Sequence, residues 1–150
     1  MSQEPLVGII EDDEDNRDVF RTVLEYRGYR VVEAADGPAG LELIRDEPPD
    51  LLLLDLHLPG LDGWSILDAL RATPATRALP VIIVTAIVHP AGPGRAAAAG
   101  CCRYLTKPLL PADLLREIEA CLSARSVNLP RALPADPAST RDPPPASRSD

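Results

Sequence analysis

Short apolar runs alternate along the first 126 residues with longer stretches in which apolar residues recur every three or four positions. The short runs predict β-strands, and the longer stretches predict helices with one apolar face. Five strands are predicted, at residues 6–10, 29–33, 51–54, 81–84 and 103–106. The third reads LLLL and the fourth VIIV, which is typical of central parallel strands that helices cover on both faces.

Capping and chain-breaking residues indicate where the helices begin and end. Asp15 is the predicted cap of a first helix that Gly28 ends. Further helices are predicted at residues 38–45, 64–72 and 111–122. Two prolines and two glycines precede residue 95, so only a short helix is expected there, at 95–99. Strands that alternate with helices in this way predict an α/β fold with a doubly wound, five-stranded parallel sheet.

The composition of the chain changes near residue 126. Residues 127–150 contain six prolines, no aromatic residue, three arginines and three aspartates. Such a segment cannot bury enough apolar surface to offset the entropy lost on ordering, so we expect a disordered tail. Residues 1–126 then form one domain, which carries the whole net charge of −8.

The charge balance excludes several classes of partner. Fifteen basic residues against 23 acidic ones leave no positive surplus for binding nucleic acid or an anionic membrane. No apolar run approaches the roughly 20 residues of a membrane span. The amino terminus, MSQEPLVGII, lacks the basic flank of a signal peptide, and a cytoplasmic location is therefore expected.

Two residue types have informative counts. The three cysteines, Cys101, Cys102 and Cys121, are odd in number and two are adjacent, which suits neither a disulfide framework nor a zinc site. We interpret them as small buried hydrophobic residues. Lys107 is the only lysine beside fourteen arginines, which suggests that a compact point charge is needed at that position.

Polar residues follow the predicted strands where each strand ends. Glu11 and Asp12 follow the first strand, Asp55 the third, Thr85 the fourth and Lys107 the fifth. In an open parallel sheet, ligands bind at this edge, where the strand order reverses. With strand order 2-1-3-4-5, the acidic pair and the third acid converge in one crevice. Clustered carboxylates need a cation, and an all-oxygen set of this kind suits Mg²⁺.

Taken singly, each of these residues also has an ordinary structural explanation. The acidic run suits a solvated helix start, and Asp55 suits a cap or an Asx turn. Thr85 suits a strand, and Lys107 suits a protein surface. Acid, acid, hydroxyl and ammonium at four separate strand ends are harder to explain in this way, so the combination favours a functional site.

Four segments carry a resemblance to a known family: VGIIEDDEDNR, DLLLLDLHLPGLDGW, LPVIIVTA and RYLTKPL. The chain resembles the response-regulator receiver domains, in particular the CheY-like single-domain members, over residues 6–124. The resemblance implies a flavodoxin-like (CheY-like) sheet of order 2-1-3-4-5. It also implies a role in two-component signalling, in which a receiver accepts a phosphoryl group from a phosphohistidine and changes its surface for protein–protein output.

The resemblance further implies a role for each site residue. Asp55 is the implied phosphoacceptor. The implied Mg²⁺ ligands are Asp12, Asp55 and the backbone carbonyl of His57, with Glu11 acting through water. Lys107, the Thr85 hydroxyl and the Ala86 N–H are implied donors to the phosphoryl oxygens, and Tyr104 is the implied aromatic switch. The Lys107–Pro108 bond is commonly cis in the family.

Two enzyme or cofactor-binding alternatives are weaker. A haloacid-dehalogenase-type phosphohydrolase also uses a strand-end aspartate with Mg²⁺, but it needs a second aspartate where this chain has His57. A nucleotide-binding Rossmann unit needs a glycine-rich loop after the first strand, where this chain is acidic. The implied partners are a histidine kinase or phosphotransfer protein and an output protein, with homodimerisation left open.

Overall fold

A five-stranded parallel sheet with helices on both faces forms the fold in the computed structural model, which describes residues 4–86 and 89–128. The strand order is β2-β1-β3-β4-β5, as predicted. The elements are β1 (Leu6–Ile10), α1 (Glu14–Tyr26), β2 (Arg30–Ala34), α2 (Gly37–Asp46), β3 (Leu51–Leu54), α3 (Gly63–Ala72), β4 (Val81–Thr85), α4 (Gly92–Ala98), β5 (Arg103–Thr106) and α5 (Pro111–Asn128).

The central strands divide the core into two layers. Alternate residues of β3 point to opposite faces of the sheet, so Leu51 and Leu53 pack with α1 and α5, and Leu52 and Leu54 pack with α2, α3 and α4. All four leucines are at most 2% exposed. Burial on both faces explains why this strand is a continuous apolar run with no polar alternation.

Aspartates cap three of the helices. The cap of α1 is Asp13, whose side chain accepts hydrogen bonds from the backbone N–H groups of Asp15 and Asn16, so the prediction of Asp15 as the cap was wrong by two residues. The chain is acidic throughout this turn, and only the backbone geometry selects the capping residue. Gly28, with φ of 93°, follows the end of α1, as predicted.

Helix α4 begins earlier than the sequence predicted. It starts at Gly92, not at residue 95, and holds Pro93 in its first turn. The missing N–H of a proline costs nothing there, because the first N–H groups of a helix have no partner within the helix. His89 accepts hydrogen bonds from two N–H groups at the start of this helix. Its Nδ1 accepts from the N–H of Ala91 at 3.0 Å, and its carbonyl accepts from the N–H of Gly92 at 2.9 Å.

The interpretation of all three cysteines as buried thiols was also wrong. Cys102 and Cys121 form a disulfide with a Cα–Cα separation of 6.3 Å, and Cys101 is free. The first of the pair precedes β5 and the second lies on α5, so tertiary packing brings together residues whose spacing in the sequence fits no motif.

The last helix is longer than the predicted 111–122. Helix α5 extends to Asn128, two residues into the segment assigned to the tail. The remainder of that segment, 129–150, lies outside the described residues. Among the described residues, no helix is both long and apolar enough to cross a membrane.

Candidate functional site

The carboxyl ends of β1 and β3 bring two acids side by side. Ile10 pairs with Leu54 across these strands, and the N–H of Asp55 donates to the Ile10 carbonyl at 3.0 Å. Glu11 and Asp55 therefore leave neighbouring strands at the same level. They are 2% and 5% exposed, which is costly for two carboxylates unless a cation lies close by.

Lys107 supplies that cation. Its Nζ lies 2.6 Å from Oε1 of Glu11 and 3.0 Å from Oδ2 of Asp55. Its backbone N–H donates to the Thr85 carbonyl at 2.9 Å, which fixes the chain beyond β5 against the end of β4. The Lys107–Pro108 peptide bond is cis, as the resemblance implied. The only lysine of the chain thus joins two buried carboxylates that lie 52 and 96 residues away in sequence.

Burial and pairing set the protonation behaviour of this group of residues. Burial is the main cause that raises the pKa of Glu11, and the hydrogen bond from Lys107 opposes it. Burial alone would lower the pKa of Lys107, but hydrogen bonds to Glu11 and Asp55 and the charges of both acids raise it overall. Lys107 is therefore charged at neutral pH.

Three carboxylates form a candidate metal centre. Glu11, Asp12 and Asp55 each offer an oxygen, and these atoms all lie within 4.8 Å of one another. Two of the acids are buried and Asp12 is exposed, so the cluster opens to solvent on one side. Hard oxygen donors with open positions for water and phosphate suit Mg²⁺, and the residues present fit that ion.

The backbone of His57 forms a hydrogen bond with the side chain of Asp55. Its N–H donates to Oδ1 of Asp55 at 3.0 Å, so each carboxylate oxygen of Asp55 has a donor: Oδ1 has this N–H, and Oδ2 has the Lys107 ammonium. The residue itself is exposed. These contacts hold the Asp55 carboxylate in one orientation at the mouth of the crevice.

Arg17 supports the acidic loop, and the sequence reasoning missed it. Its Nη1 donates to the carbonyl of Glu11 at 2.9 Å and to that of Asp12 at 3.2 Å, and its Nε pairs with Glu33 at 3.1 Å. An arginine one turn into α1 carries no signal of this role in the sequence, because the role depends on how the helix packs beside β2.

The remaining predicted site residues lie on β4 and β5. Thr85 ends β4 and is fully buried, and Ala86 follows it at the surface. Tyr104 pairs with Ile83 across β4 and β5, and its phenol lies against Gly92, where a β-carbon would clash with the ring. The start of α4 thus leaves space for this tyrosine, and the Pro/Gly-rich segment takes part in seating it.

Helix α3 packs directly on the chain that carries Asp55. The N–H of Gly63 donates to the Leu56 carbonyl at 3.0 Å, and a β-carbon on Gly63 would lie 2.6 Å from the carbonyl oxygen of Asp55. Only a glycine permits this approach. The guanidinium of Arg95, on α4, lies over the ring of the next residue, Trp64, with its central carbon 4.3 Å from the ring centre.

Comparison with known proteins places this geometry in a family. Residues 7–119 match the family model described as response regulator receiver domain. The polar-differentiation response regulator DivK of Brucella anthropi is 34% identical over 116 residues, which cover 77% of this chain and 94% of that protein.

Solved structures give the same result. A CheY-like response regulator receiver domain protein from Methanospirillum hungatei is 29% identical, with a TM-score of 0.79 over 85% of this chain and 99% of that one. The receiver domain of a Francisella response regulator is also 29% identical, with a TM-score of 0.74 over 81% of this chain and 98% of that one. These likenesses do not support the haloacid-dehalogenase-type alternative. The chain therefore belongs to the response-regulator receiver domains and functions in two-component phosphorelay signalling.

Proposed function

We propose that Asp55 is the residue that accepts the phosphoryl group, from a phosphohistidine on a histidine kinase or a phosphotransfer protein. The observation that carries this proposal is the shared ion pair of Lys107 with Glu11 and Asp55, at the edge of the sheet where three carboxylates converge. A carboxylate beside a fixed ammonium and a cluster of hard oxygen donors has what phosphoryl transfer requires: a nucleophile, and positive charge for the equatorial oxygens.

In the transfer, a carboxylate oxygen of Asp55 bonds to phosphorus while the bond from phosphorus to the histidine nitrogen breaks. The product is an acyl phosphate on this chain and a free imidazole on the donor. The N–H of His57 orients the carboxylate through Oδ1. Lys107, anchored by Glu11 at 2.6 Å, can remain in place while its second hydrogen bond passes from the carboxylate to a phosphoryl oxygen.

Mg²⁺ would be held by Asp12, Asp55 and the backbone carbonyl of His57, with Glu11 acting through water. When bound, the ion neutralises charge on the phosphoryl oxygens. The Thr85 hydroxyl and the Ala86 N–H donate to the oxygens that remain. The same groups, acting on water as the nucleophile, give the domain a self-catalysed loss of its phosphoryl group.

The output of phosphorylation is a change in surface shape. Movement of Thr85 toward the phosphoryl group opens space that Tyr104 enters, and Tyr104 already contacts α4 at Gly92. The face formed by α4, β5 and α5 then presents a different surface to an output protein or to a second copy of the chain. We assign the domain to the cytoplasm, because histidine kinases make phosphohistidine from ATP there.

A small phosphodonor tests this function without a known kinase. Phosphoramidate carries the same N–P bond as phosphohistidine, and intact mass spectrometry counts the phosphoryl groups transferred. We expect one group on the wild-type chain with Mg²⁺ and none after chelation. Asp55→Asn should take up none, whereas Asp68→Asn, an exposed control on α3, should be labelled like wild type. Full labelling of Asp55→Asn would refute the assignment.

A further inference from the structure

The disulfide joins the last two elements of the domain, β5 and α5. Cys102 is the residue before β5, and its N–H donates to the Val81 carbonyl at 2.8 Å. Cys121 lies on α5 and is 2% exposed, in the apolar layer that also contains Leu114 and Ile118. The bond therefore joins the edge strand to the helix that covers it.

The loop that this bond closes contains functional residues. The two cysteines are 19 residues apart, and Tyr104 and Lys107 lie between them. An ion pair between Arg103 and Glu117, with Nε 2.7 Å from Oε1, links the same strand and helix closer to the surface. Oxidation thus restrains the segment that carries the site lysine and the aromatic residue of β5.

Cys101 is placed so that it does not compete for the bond. It is adjacent to Cys102 in sequence but packs against the opposite layer of the core, the one covered by α2, α3 and α4. Burial raises the pKa of its thiol to about 11, despite the charge of Arg71 nearby. A thiol that stays protonated is a poor nucleophile, so exchange with the neighbouring disulfide is slow.

We propose that Cys102 and Cys121 form a reversible thiol–disulfide site, whose oxidation state sets how firmly α5 is held on β5. The reactants are small or protein dithiols in one direction and a small-molecule disulfide, such as oxidised glutathione, in the other. This site is separate from the phosphoacceptor and needs no phosphodonor. Disulfides in reducing compartments are mostly redox-sensing or catalytic, which fits such a bond in a signalling domain.

The chemistry follows from the exposure of the two sulfurs. Cys102 is half-buried and Cys121 is enclosed, so a reductant thiolate attacks the sulfur of Cys102 and releases Cys121 as a thiolate. The second thiol of the reductant then attacks the mixed disulfide and releases Cys102. Two electrons and two protons pass to the cysteine pair, and the reductant leaves as a disulfide.

The test uses the full-length chain equilibrated with dithiothreitol, a small dithiol, or with oxidised glutathione. Differential alkylation and mass spectrometry assign each cysteine, and thermal unfolding measures the effect. Closing a loop of this length should raise the melting temperature by roughly 5–10 °C in the oxidised form. Amide exchange in β5 and α5 should quicken on reduction, with α2 and α3 unchanged.

Cysteine variants separate the proposal from a general loss of stability. Cys101→Ser is the matched control and should keep the full redox-dependent shift. Cys102→Ser should lose the shift and unfold near the temperature of the reduced wild type. Cys121→Ala should also lose the shift, with an added loss from the cavity it leaves. The proposal is overturned if native wild type fails to form this bond in oxidised glutathione, or if both redox forms melt together.

Discussion

Replacement of Lys107 by methionine isolates the charge that the site depends on. The change keeps the length of the side chain and removes its ammonium. It leaves Glu11 and Asp55, whose side chains are 3% and 6% exposed, without their shared cation. In the absence of Mg²⁺, the folded state then has to accommodate two buried carboxylates and the repulsion between them.

Two limits set the size of the effect on stability. Removing one partner of a buried ion pair costs roughly 3–5 kcal/mol of unfolding free energy when the other charge stays buried and is not neutralised. Glu11 can be neutralised, because it can take up a proton. For a carboxyl of ordinary pKa, 4.5, that proton costs about 3.4 kcal/mol at pH 7, and burial, which raises the pKa of Glu11, reduces the cost. We therefore expect Lys107→Met to lose about 2–3 kcal/mol of unfolding free energy at pH 7.

Urea unfolding at two pH values gives the assay. A carboxyl whose pKa is raised in the folded state binds more protons when folded, so its stabilising contribution is lost as pH rises through the folded-state pKa. The deficit of Lys107→Met should accordingly shrink between pH 7 and about pH 5.5. Saturating Mg²⁺ should shrink it too, because the ion replaces the missing positive charge.

Two further variants control the interpretation. Lys107→Arg keeps the charge and should lose less than half as much stability as Lys107→Met. Adding Glu11→Gln to Lys107→Met removes the carboxylate that needs neutralising, and should recover most of the loss. A deficit below about 0.5 kcal/mol, or one that stays equal at both pH values, would show that Lys107 does not hold these acids in the way its contacts indicate.

Other parts of the structure make equally specific predictions. Arg17→Ala should weaken Mg²⁺ binding roughly tenfold, because Arg17 no longer holds the backbone of the loop that contains Glu11 and Asp12. Fluorescence of the single tryptophan measures the affinity. Arg21→Ala is the control: Arg21 also pairs with Glu33 but does not contact this loop, so its loss should leave the affinity unchanged. Gly63→Ala should cost roughly 2–3 kcal/mol in urea unfolding, because its β-carbon would clash with the backbone of Asp55 and Leu56. Gly94→Ala, with open space around it in α4, should instead gain about 0.5–1 kcal/mol. Truncation after Asn128 should change stability by less than about 1 kcal/mol and leave phosphorylation intact; a larger loss would show that the tail docks on the domain.

The sheet and the acids of the site could be predicted from the sequence for a physical reason. Strands that are buried on both faces must be apolar throughout, so β3 and β4 are easily recognised in the sequence. The residues that end them are polar, so Asp55 and Thr85 stand out against the leucines and isoleucines before them. Parallel strands place those ends at one edge, and strand order then predicts the contact with Glu11.

The features that could not be predicted from the sequence depend on the local backbone or on packing between distant elements. Asp13 and Asp15 are equivalent as caps until the backbone of the turn is known. Arg17 acquires its role only when α1 lies beside β2. The bond from Cys102 to Cys121 depends on how α5 packs against β5, and no spacing of residues in the sequence encodes that packing.

We propose that Asp55 alone carries the phosphoryl group, and a chemical conversion of that group into a stable mark tests this directly. After phosphorylation with Mg²⁺, borohydride reduces an acyl phosphate to an alcohol, so the modified aspartate becomes homoserine. Peptide mass spectrometry then locates it. We expect homoserine at position 55 and at no other acid, including Glu11, Asp12 and Asp13. Homoserine at another position, or phosphorylated protein that yields none, would contradict it.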